Sequence, residues 1–274
     1  DQSKVQLVGC LTDLTQIATD QILADMQLMG LGKQAPEYNR SNITGDHLIH
    51  IDPSARIEYA FINATDGPIY IGADALVMDG AKIRGPAAIG SNAIIKSHAF
   101  LSKGVCIGPH CEIGGEVKHS IFLGNSNKSH EGYIGDSVIG EWCNLGALTS
   151  NSNLRNSFTD IQLWDYKQSR PMPTGHHKCG FFMGDFSRTA IQTQINSGTV
   201  IGVSSHVFGN GMAKVLVPSF TWGGIDDTEL YDVEKAIAAA AKFCSFKDQS
   251  LTNETEELLR HLYAESAKDQ ENSL

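Results

Sequence analysis

Aliphatic residues recur at every sixth position over a long central stretch of the chain. The series runs through Ile71, Val77, Ile83, Ile89, Ile95, Leu101, Ile107 and Ile113. A second series follows each of these positions by four residues and contains only small side chains: Ala75, Ala81, Ala87, Ala93, Ala99, Val105 and Cys111. The two series predict one short strand and one corner in every hexad, with both kinds of side chain pointing inward.

Three such hexads close one coil of a three-sided prism. The repeat therefore predicts an all-β fold, a single-stranded left-handed parallel β-helix. Glycine and asparagine at the corners supply the backbone angles that tight turns need, as at Gly80, Gly85, Asn92 and Gly104. A β-sandwich or barrel would instead show a period of two, with a turn about every 8–12 residues. A strict period of six also favours left-handed coils over right-handed ones, although parallel strands are usually joined by right-handed connections.

The hexads divide the chain into three parts. Residues 51–218 form the predicted β-helix, which contains a long inserted loop at about 155–182. A loop of this length with several aromatic residues predicts an ordered arm that packs on another surface, such as a neighbouring subunit. Residues 1–50 form an N-terminal helical or connecting segment, and residues 219–274 form a C-terminal helical tail.

The two flanks show the spacing of amphipathic helices. The apolar positions of the first helix are Leu14, Ile17, Ile22, Met26 and Met29, and those of the tail are Leu230, Val233, Ile237, Leu258, Leu259 and Leu262. We interpret these helices as caps on the open end of the prism, because a repeat protein must not leave a sheet edge exposed there.

Composition narrows the range of partners. The formal net charge is -10, which disfavours nucleic acid and anionic membranes as partners. No apolar run reaches the roughly 18 residues of a membrane span, and the first residues, Asp1-Gln2-Ser3-Lys4, lack the apolar stretch that is typical of a signal peptide. The six cysteines are scattered without a Cys-x-x-Cys pair, which is typical of reduced thiols in a cytoplasmic protein.

A cluster of reactive residues interrupts the hexads. It contains Glu116-Val117-Lys118, His130-Glu131-Gly132-Tyr133-Ile134-Gly135-Asp136, Asn144-Leu145-Gly146-Ala147 and Asn153. In order and spacing, this stretch resembles the acetyltransferase (C-terminal) domain of the bifunctional N-acetylglucosamine-1-phosphate uridyltransferase / glucosamine-1-phosphate acetyltransferase family. The resemblance covers roughly residues 68–210 and points to a divergent, sugar-nucleotidyltransferase-like branch.

The resemblance implies a CoA-dependent acyltransferase. Acetyl-CoA is the implied acyl donor, and the acceptor is the amine of a small-molecule amino-sugar phosphate. His130 is the implied general base, and the carboxylate of Glu116 would hold its ring in the useful tautomer. The implied substrate-binding residues are Lys118, Tyr133, Asn144, Asn153 and Lys103, of which the lysines suit a phosphate and the others suit sugar hydroxyls.

A second function stays open. The chain could be a non-catalytic trimerisation or regulatory domain of a sugar-1-phosphate nucleotidyltransferase whose catalytic half, with its Mg²⁺, precedes Asp1. Two departures from the family favour this alternative: Lys103 near the position of an arginine and Leu154 at that of a tyrosine. A further departure, Ile191 at the position of a small polar residue, fits a divergent branch of the family.

A third class is a zinc enzyme of the γ-carbonic anhydrase type, which shares the fold. It needs three facing histidines, typically with a His-x4-His pair, and none of the ten histidines forms such a pair. We therefore predict no metal site, and we expect His176-His177-Lys178-Cys179 to lie on a solvated loop.

All these functions predict a homotrimer, because flat prism faces pack around a threefold axis and pockets of this kind form between subunits. We expect sedimentation at micromolar concentration to give the mass of three chains. A monomer under those conditions would exclude an intersubunit pocket.

Overall fold

The computed structural model describes residues 8–31 and 42–271, and most of them form a triangular prism. Three parallel sheets of six, nine and ten strands, here called faces A, B and C, form its sides. The chain passes from A to B to C, and each strand pairs in parallel with the strand one coil away, apart from one antiparallel strand at the end of face C. The predicted left-handed parallel β-helix is confirmed.

The strands of the faces are short. Face A contains β1 Asn42–Thr44, β4 Phe61–Asn63, β7 Lys82–Arg84, β10 Phe100–Ser102, β13 Glu116–Lys118 and β16 Tyr133–Gly135. Face B contains β2 Ile49–Ile51, β5 Ile69–Ile71, β8 Ala87–Ile89, β11 Val105–Ile107, β14 Ile121–Phe122, β17 Val138–Ile139, β22 Phe181–Met183, β25 Thr199–Ile201 and β27 Leu216–Val217. Face C contains β3 Arg56–Ile57, β6 Leu76–Val77, β9 Ile94–Ile95, β12 Glu112–Ile113, β15 Asn127–Lys128, β18 Asn144–Leu145, β23 Arg188–Thr189, β26 His206–Phe208, β28 Thr221–Gly224 and β29 Thr228–Leu230.

The other elements are two small sheets and three helices. Strand β19 Ser150–Asn151 pairs with β24 Gln194–Ile195, and β20 Gln162–Asp165 pairs antiparallel with β21 Arg170–Pro173. The helices are α1 Leu11–Leu28, α2 Val233–Ser245 and α3 Asn253–Glu271.

The lumen of the prism holds both hexad series, as predicted. The aliphatic residues stack on their equivalents one coil away, and Ile71 and Ile95 are fully buried. Ala75, Ala81 and Ala99 are equally inaccessible beside the corners. The repeat also continues between Gly115 and His130, where the sequence departs from the strict period of six. Val117, Phe122 and Lys128 take the inward positions there, so the coil is shorter but unbroken.

The corners between faces B and C place one residue per coil in the left-handed backbone region. Asn92 and His110 occupy it in the early coils with φ of 57°. Later coils use Trp142, Phe186 and Phe220, with φ between 56° and 59°. Bulky aromatic residues are disfavoured in this conformation, so their packing must compensate for it.

That packing comes from the C-terminal helices. Ala236, Ile237 and Phe243 of α2 and Leu259 of α3 bury the three corner aromatics in a second apolar core. The tail also extends toward earlier coils, where Lys247 Nζ donates to the carbonyl of His110 at 2.6 Å. We interpreted the helices as caps on the open end, but α2 and α3 lie along the B/C corner instead. The reason is that the apolar faces of these helices pack on the aromatic rings at this corner rather than on the sheet edge.

Helix α1 likewise lies along the side of the prism, on face B. Its residues Ala18, Ile22 and Met26 are buried over a surface formed by Ala88 and Cys106 among others. Small side chains on the outside of this face let the helix approach closely. In the sequence, Gly30 and Gly32 are expected to end this helix; Gly30 follows α1 with φ of 68°, and Gly32 lies outside the described residues.

The inserted loop packs on its own chain. Its hairpin β20–β21 lies on the later coils of face B, and Ile161 and Leu163 are buried there against Phe182 and Val200. The loop is an ordered arm as expected, but the surface that it covers belongs to the same chain. The outward residues of face B in these coils are apolar, so they require such a cover.

Lys128 stands out within the lumen because it replaces an aliphatic residue. Its side chain is 1% exposed, and Nζ donates to the carbonyls of Gly114 at 2.9 Å and His130 at 2.8 Å. Burial lowers the pKa of this amine from 10.5 to about 8. The folded protein therefore releases this proton at lower pH than the unfolded chain does.

Comparison with the Lys128→Met variant should show that this shift in the pKa of Lys128 makes the stability of the protein depend on pH. Between about pH 8 and 10.5 the unfolded chain binds the proton and the folded one does not, so stability rises with pH in wild type. Relative to Lys128→Met, we expect the free energy of unfolding of wild type to gain about 3 kcal/mol across this window. Denaturant unfolding at several pH values measures it. Because the other titrating groups are the same in both proteins, their contributions cancel in this comparison. Parallel curves of unfolding free energy against pH for the two proteins would contradict the prediction.

Candidate functional site

The sequence-predicted site residues are distributed over two faces and two corners of the prism. Glu116, Lys118 and Tyr133 lie on face A, where Glu116 is in register with Tyr133 and Lys118 with Gly135. Two more residues, Lys103 and Asn153, lie at the A/B corner, where the chain passes from face A to face B. These five residues therefore lie on face A and at its border with face B.

Four side chains form a polar network at the A/B corner: Tyr133, Asn153, Asp136 and His119. The amide Nδ2 of Asn153 donates to the Tyr133 hydroxyl at 3.0 Å and to Asp136 Oδ2 at 2.5 Å. On its other side, Asp136 Oδ1 lies 3.4 Å from His119 Nδ1. The tyrosine ring lies across Gly135, where any Cβ would collide with it. A single amide thus fixes both a phenol and a carboxylate.

The electrostatics of this network keep the phenol neutral. Burial, together with the charges of Asp136 and Glu116, raises the pKa of Tyr133 from 10.0 to about 12. The hydroxyl already accepts from Asn153, so its own proton is directed to another acceptor. Tyr133 can therefore donate to a ligand hydroxyl or phosphate over the whole physiological pH range.

Lys103 is already engaged in an ion pair. Its Nζ lies 3.6 Å from Asp66 Oδ2, which also accepts from Arg84 Nε at 2.5 Å. The pair is partly exposed, so it contributes little to stability and a phosphate could compete for the lysine. Lys118 is half-buried on face A and has no ion-pair partner within 4.0 Å among the described residues. Of the two predicted phosphate ligands, Lys118 is therefore the more available to bind a phosphate.

His130 lies at the opposite border of face A, the C/A corner. Its side chain is exposed, and its carbonyl oxygen accepts from the buried amine of Lys128. Glu116 is also exposed, and in the described part of the chain no hydrogen bond or ion pair joins it to His130. The catalytic pairing of these two residues stays a prediction.

Asn144 lies on face C, away from the other predicted residues. With Arg188, His206 and Trp222 it lines a cleft of about 420 Å³. Arg188 donates to the carbonyl of Ala239 at 3.0 Å and so attaches α2 to this face. Burial and the nearby guanidinium lower the pKa of His206 from 6.5 to about 4, which keeps its ring neutral. Asn144 therefore does not share a surface with Tyr133 in one chain.

Two residues of the network were not predicted as site residues, His119 and Asp136. They are 17 positions apart, the same spacing that separates the paired residues Glu116 and Tyr133 on face A. One coil of the prism therefore places them side by side at the corner. The register of this coil could have indicated the pair, but residue type and motif alone did not.

Within residues 8–31 and 42–271, no cluster of three or more histidine, cysteine, aspartate or glutamate side chains is placed to hold a metal ion. None of the described helices combines the length and apolar character needed to cross a membrane.

Comparison with known proteins supports the hexapeptide repeat. The family described as "Bacterial transferase hexapeptide (six repeats)" matches residues 68–103. Over 152 residues the chain is 33% identical to the "Bifunctional sugar-1-phosphate nucleotidylyltransferase/acetyltransferase" of Sulfurisphaera tokodaii, covering 48% of this chain and 37% of that protein. It is 34% identical over 113 residues to the "Bifunctional protein GlmU" of Methanocaldococcus jannaschii, covering 41% of this chain and 26% of that protein.

The chain thus spans well under half the length of these curated relatives. Among solved structures, it is similar to the polySia specific acetyltransferase NeuO, with 10% sequence identity and a TM-score of 0.43 over 81% of this chain and 97% of that one. The relatives confirm the resemblance to this family.

The network predicts that two substitutions at Asn153 lower the stability of the protein by different amounts. We expect Asn153→Ala to lose about 1–3 kcal/mol of stability, because it leaves the nearly buried Asp136 carboxylate without its amide donor. Asn153→Asp should lose more at pH 7, where two carboxylates would face each other, and should recover toward the alanine variant near pH 4 as a carboxylate is protonated. Thermal unfolding at both pH values measures the difference. Equal losses by both variants at pH 7 would contradict the proposed contact.

Proposed function

We propose that this chain is a CoA-dependent acyltransferase that acts on an amino-sugar phosphate. The premise is that it contains hexapeptide repeats and is homologous to sugar-1-phosphate nucleotidylyltransferase/acetyltransferases. The observation that carries the proposal is the arrangement on face A, where Lys118, Tyr133 and Asn153 converge on one open surface. An uncommitted ammonium beside two neutral hydrogen-bonding groups is suited to a phosphate next to sugar hydroxyls.

In this proposal each residue has a distinct task. Lys118 binds the phosphate, and the Tyr133 hydroxyl and the Asn153 amide orient the sugar. The acceptor amine attacks the thioester of acetyl-CoA, a new C–N bond forms and the C–S bond breaks. The amine proton leaves to a histidine that borders face A, for which the family resemblance gives His130, and CoA departs as the thiol.

The remaining elements of the proposal come from the same resemblance. Glu116 would orient His130, and Lys103 would add positive charge once it exchanges Asp66 for the phosphate. Asn144 lies on face C, so it could reach an acceptor on face A only from another subunit. A homotrimer is therefore part of the proposal, with the site shared between chains.

A second candidate is the non-catalytic regulatory or trimerisation domain. Two observations favour it. Leu154 leads directly into the arm and bridges Lys178 there, so it is not available as a sugar ligand. Ile191 is 70% exposed and presents an apolar side chain at the C/A corner. A domain that only binds or assembles would tolerate both residues.

Acyl transfer can be tested directly with acetyl-CoA and glucosamine 1-phosphate, with release of free thiol as the readout. We expect turnover by wild type and a loss of at least about 100-fold in kcat for His130→Ala, since a general base contributes 10²–10⁴-fold. His98→Ala is the matched control, because His98 is another exposed histidine at the C/A corner. Background rates in wild type would refute the acyltransferase, and binding of sugar nucleotides without turnover would favour the regulatory domain.

A further inference from the structure

The A/B corner contains a group of basic side chains, although the chain is acidic as a whole. The formal net charge is -10, yet Arg84 and Lys118 occupy equivalent positions of β7 and β13, and Lys103 follows β10, the strand between them. Asp66 accepts from Arg84 and lies 3.6 Å from Lys103, so one carboxylate serves two cations. Lys118 has no ion-pair partner within 4.0 Å among the described residues. This border of face A is therefore suited to an anion.

His119 is a further member of this group, and it has an acidic partner in the interior. It directly follows Lys118 in the sequence, and its side chain is 34% exposed. Nδ1 lies 3.4 Å from Oδ1 of Asp136, whose side chain is 4% exposed and whose other oxygen accepts from Asn153. In the described part of the chain, Nε2 of His119 has no hydrogen-bond partner. The buried carboxylate thus engages one nitrogen of the ring and leaves the other available to a ligand.

The backbone and a glycine fix the direction of this ring. His119 and Asp136 both adopt the left-handed conformation, with φ of 43° and 51°, and their amides donate to Lys103 O at 2.9 Å and Lys118 O at 3.0 Å. The edge of the ring that carries Cδ2 lies over Gly104, where an added Cβ would be only 2.9 Å from it. The imidazole is therefore confined between Gly104 and Asp136, and it needs little reorganisation when a ligand binds.

Two of the proposed substrate-binding residues lie next to His119. Lys118 is paired with Gly135 of the next coil, and the ring of Tyr133 lies across that glycine because no side chain occupies the position. The Tyr133 hydroxyl accepts from Asn153, which also holds the carboxylate beside His119. The lysine ammonium, the tyrosine hydroxyl and the available nitrogen of the histidine therefore border the same part of the surface.

A phosphate is the ligand that fits these three groups. An imidazolium has an N–H donor on each nitrogen, so His119 can donate to Asp136 with one and to a phosphate oxygen with the other. The phosphate dianion would itself favour the charged form of the ring beside it. The ammonium of Lys118 is a point charge on a flexible stem, whereas the imidazole is fixed. The histidine thus adds direction to the attraction that the lysine provides.

We infer that His119, held in place by Asp136, is a second phosphate ligand of the acceptor site, next to Lys118. The inference rests on the proposed function and deepens it, because it names a residue through which the site selects a phosphorylated amino sugar over a free one. His130 keeps its role as the base, and the bonds that form and break are those already described. Removal of the His119 side chain should therefore weaken acceptor binding and leave the chemical step intact.

The test compares two acceptors, glucosamine 1-phosphate and free glucosamine, in the full chain. His119→Gly keeps the left-handed backbone, which glycine adopts without strain, and removes the phosphate contact. We expect its KM for glucosamine 1-phosphate to rise by about 10–100-fold, the range for loss of a charged hydrogen bond, while kcat stays within about threefold. For free glucosamine, kcat/KM should stay within about threefold of wild type, because this acceptor has no phosphate to bind.

Calorimetric binding of glucosamine 1-phosphate without acetyl-CoA tests the same contact independently of turnover. The dissociation constant should rise by the same factor in His119→Gly. His98→Gly is the matched control, because His98 also adopts a left-handed conformation, with φ of 63°, and its ring also lies over a glycine of the preceding coil, Gly80. It lies at the C/A corner, so this variant should bind and turn over both acceptors like wild type.

The outcomes separate this inference from the function on which it rests. In His119→Gly, a KM and a dissociation constant for glucosamine 1-phosphate within about twofold of wild type would overturn the inference and leave the acyltransferase intact. An equal loss with both acceptors would also overturn it, because a residue that only supports the corner affects them alike. If His119→Gly does not fold, His119→Asn keeps the corner backbone, and its shorter, uncharged side chain should give the same selective rise in KM.

The proposed function can fail separately. Thiol release at background rates in wild type would refute the acyl transfer, whereas weaker calorimetric binding by His119→Gly would still support the phosphate site. Failure of wild type to bind glucosamine 1-phosphate would overturn both.

Discussion

The narrow lumen of the prism is the constraint from which the rest of the structure follows. Each coil can enclose one layer of aliphatic side chains and a small residue beside each corner, as Ile95 and Ala99 illustrate. Close packing of these layers requires the chain to return to the same position after each coil. That return places outward side chains in straight columns along the faces. Tyr133 lies beside Glu116, and His119 beside Asp136, because lumen packing sets the register of the whole coil.

Lys128 shows how strictly the lumen imposes this register. An amine there could not keep a hydration shell, so it bonds to two corner carbonyls and has a depressed pKa. Its partners include the carbonyl of His130, so the inside of the prism is connected to one border of face A. A polar group in the lumen thus stabilises the corner backbone, whereas the polar groups on face A remain available to ligands.

The sequence predicted the parts of the molecule that depend on local periodicity. The hexads identified the fold and the lumen, and the motif around Tyr133 identified a polar surface on face A. Placement of the appendages could not be predicted, because it depends on which outer surfaces are apolar once the prism has formed. Trp142 at a corner and Phe182 on face B create such surfaces, and the helices and the arm cover them. The network at the A/B corner was missed for a related reason. The coil between His119 and Asp136 is shorter than three full hexads, so a fixed period of six does not align them.

The side-lying helices also change how a repeat fold of this kind would lose its structure. Stacked repeats contact only their neighbours, and they tend to open progressively from a free end. Here α1 contacts strands from β8 to β17, and Gln249 beyond α2 donates to Asn125 several coils before the end of the prism. Opening one terminal coil therefore also requires the release of contacts in the middle. We expect these long-range attachments to join separate coils into a single cooperative unit, so that the prism unfolds as one domain rather than as a fraying array.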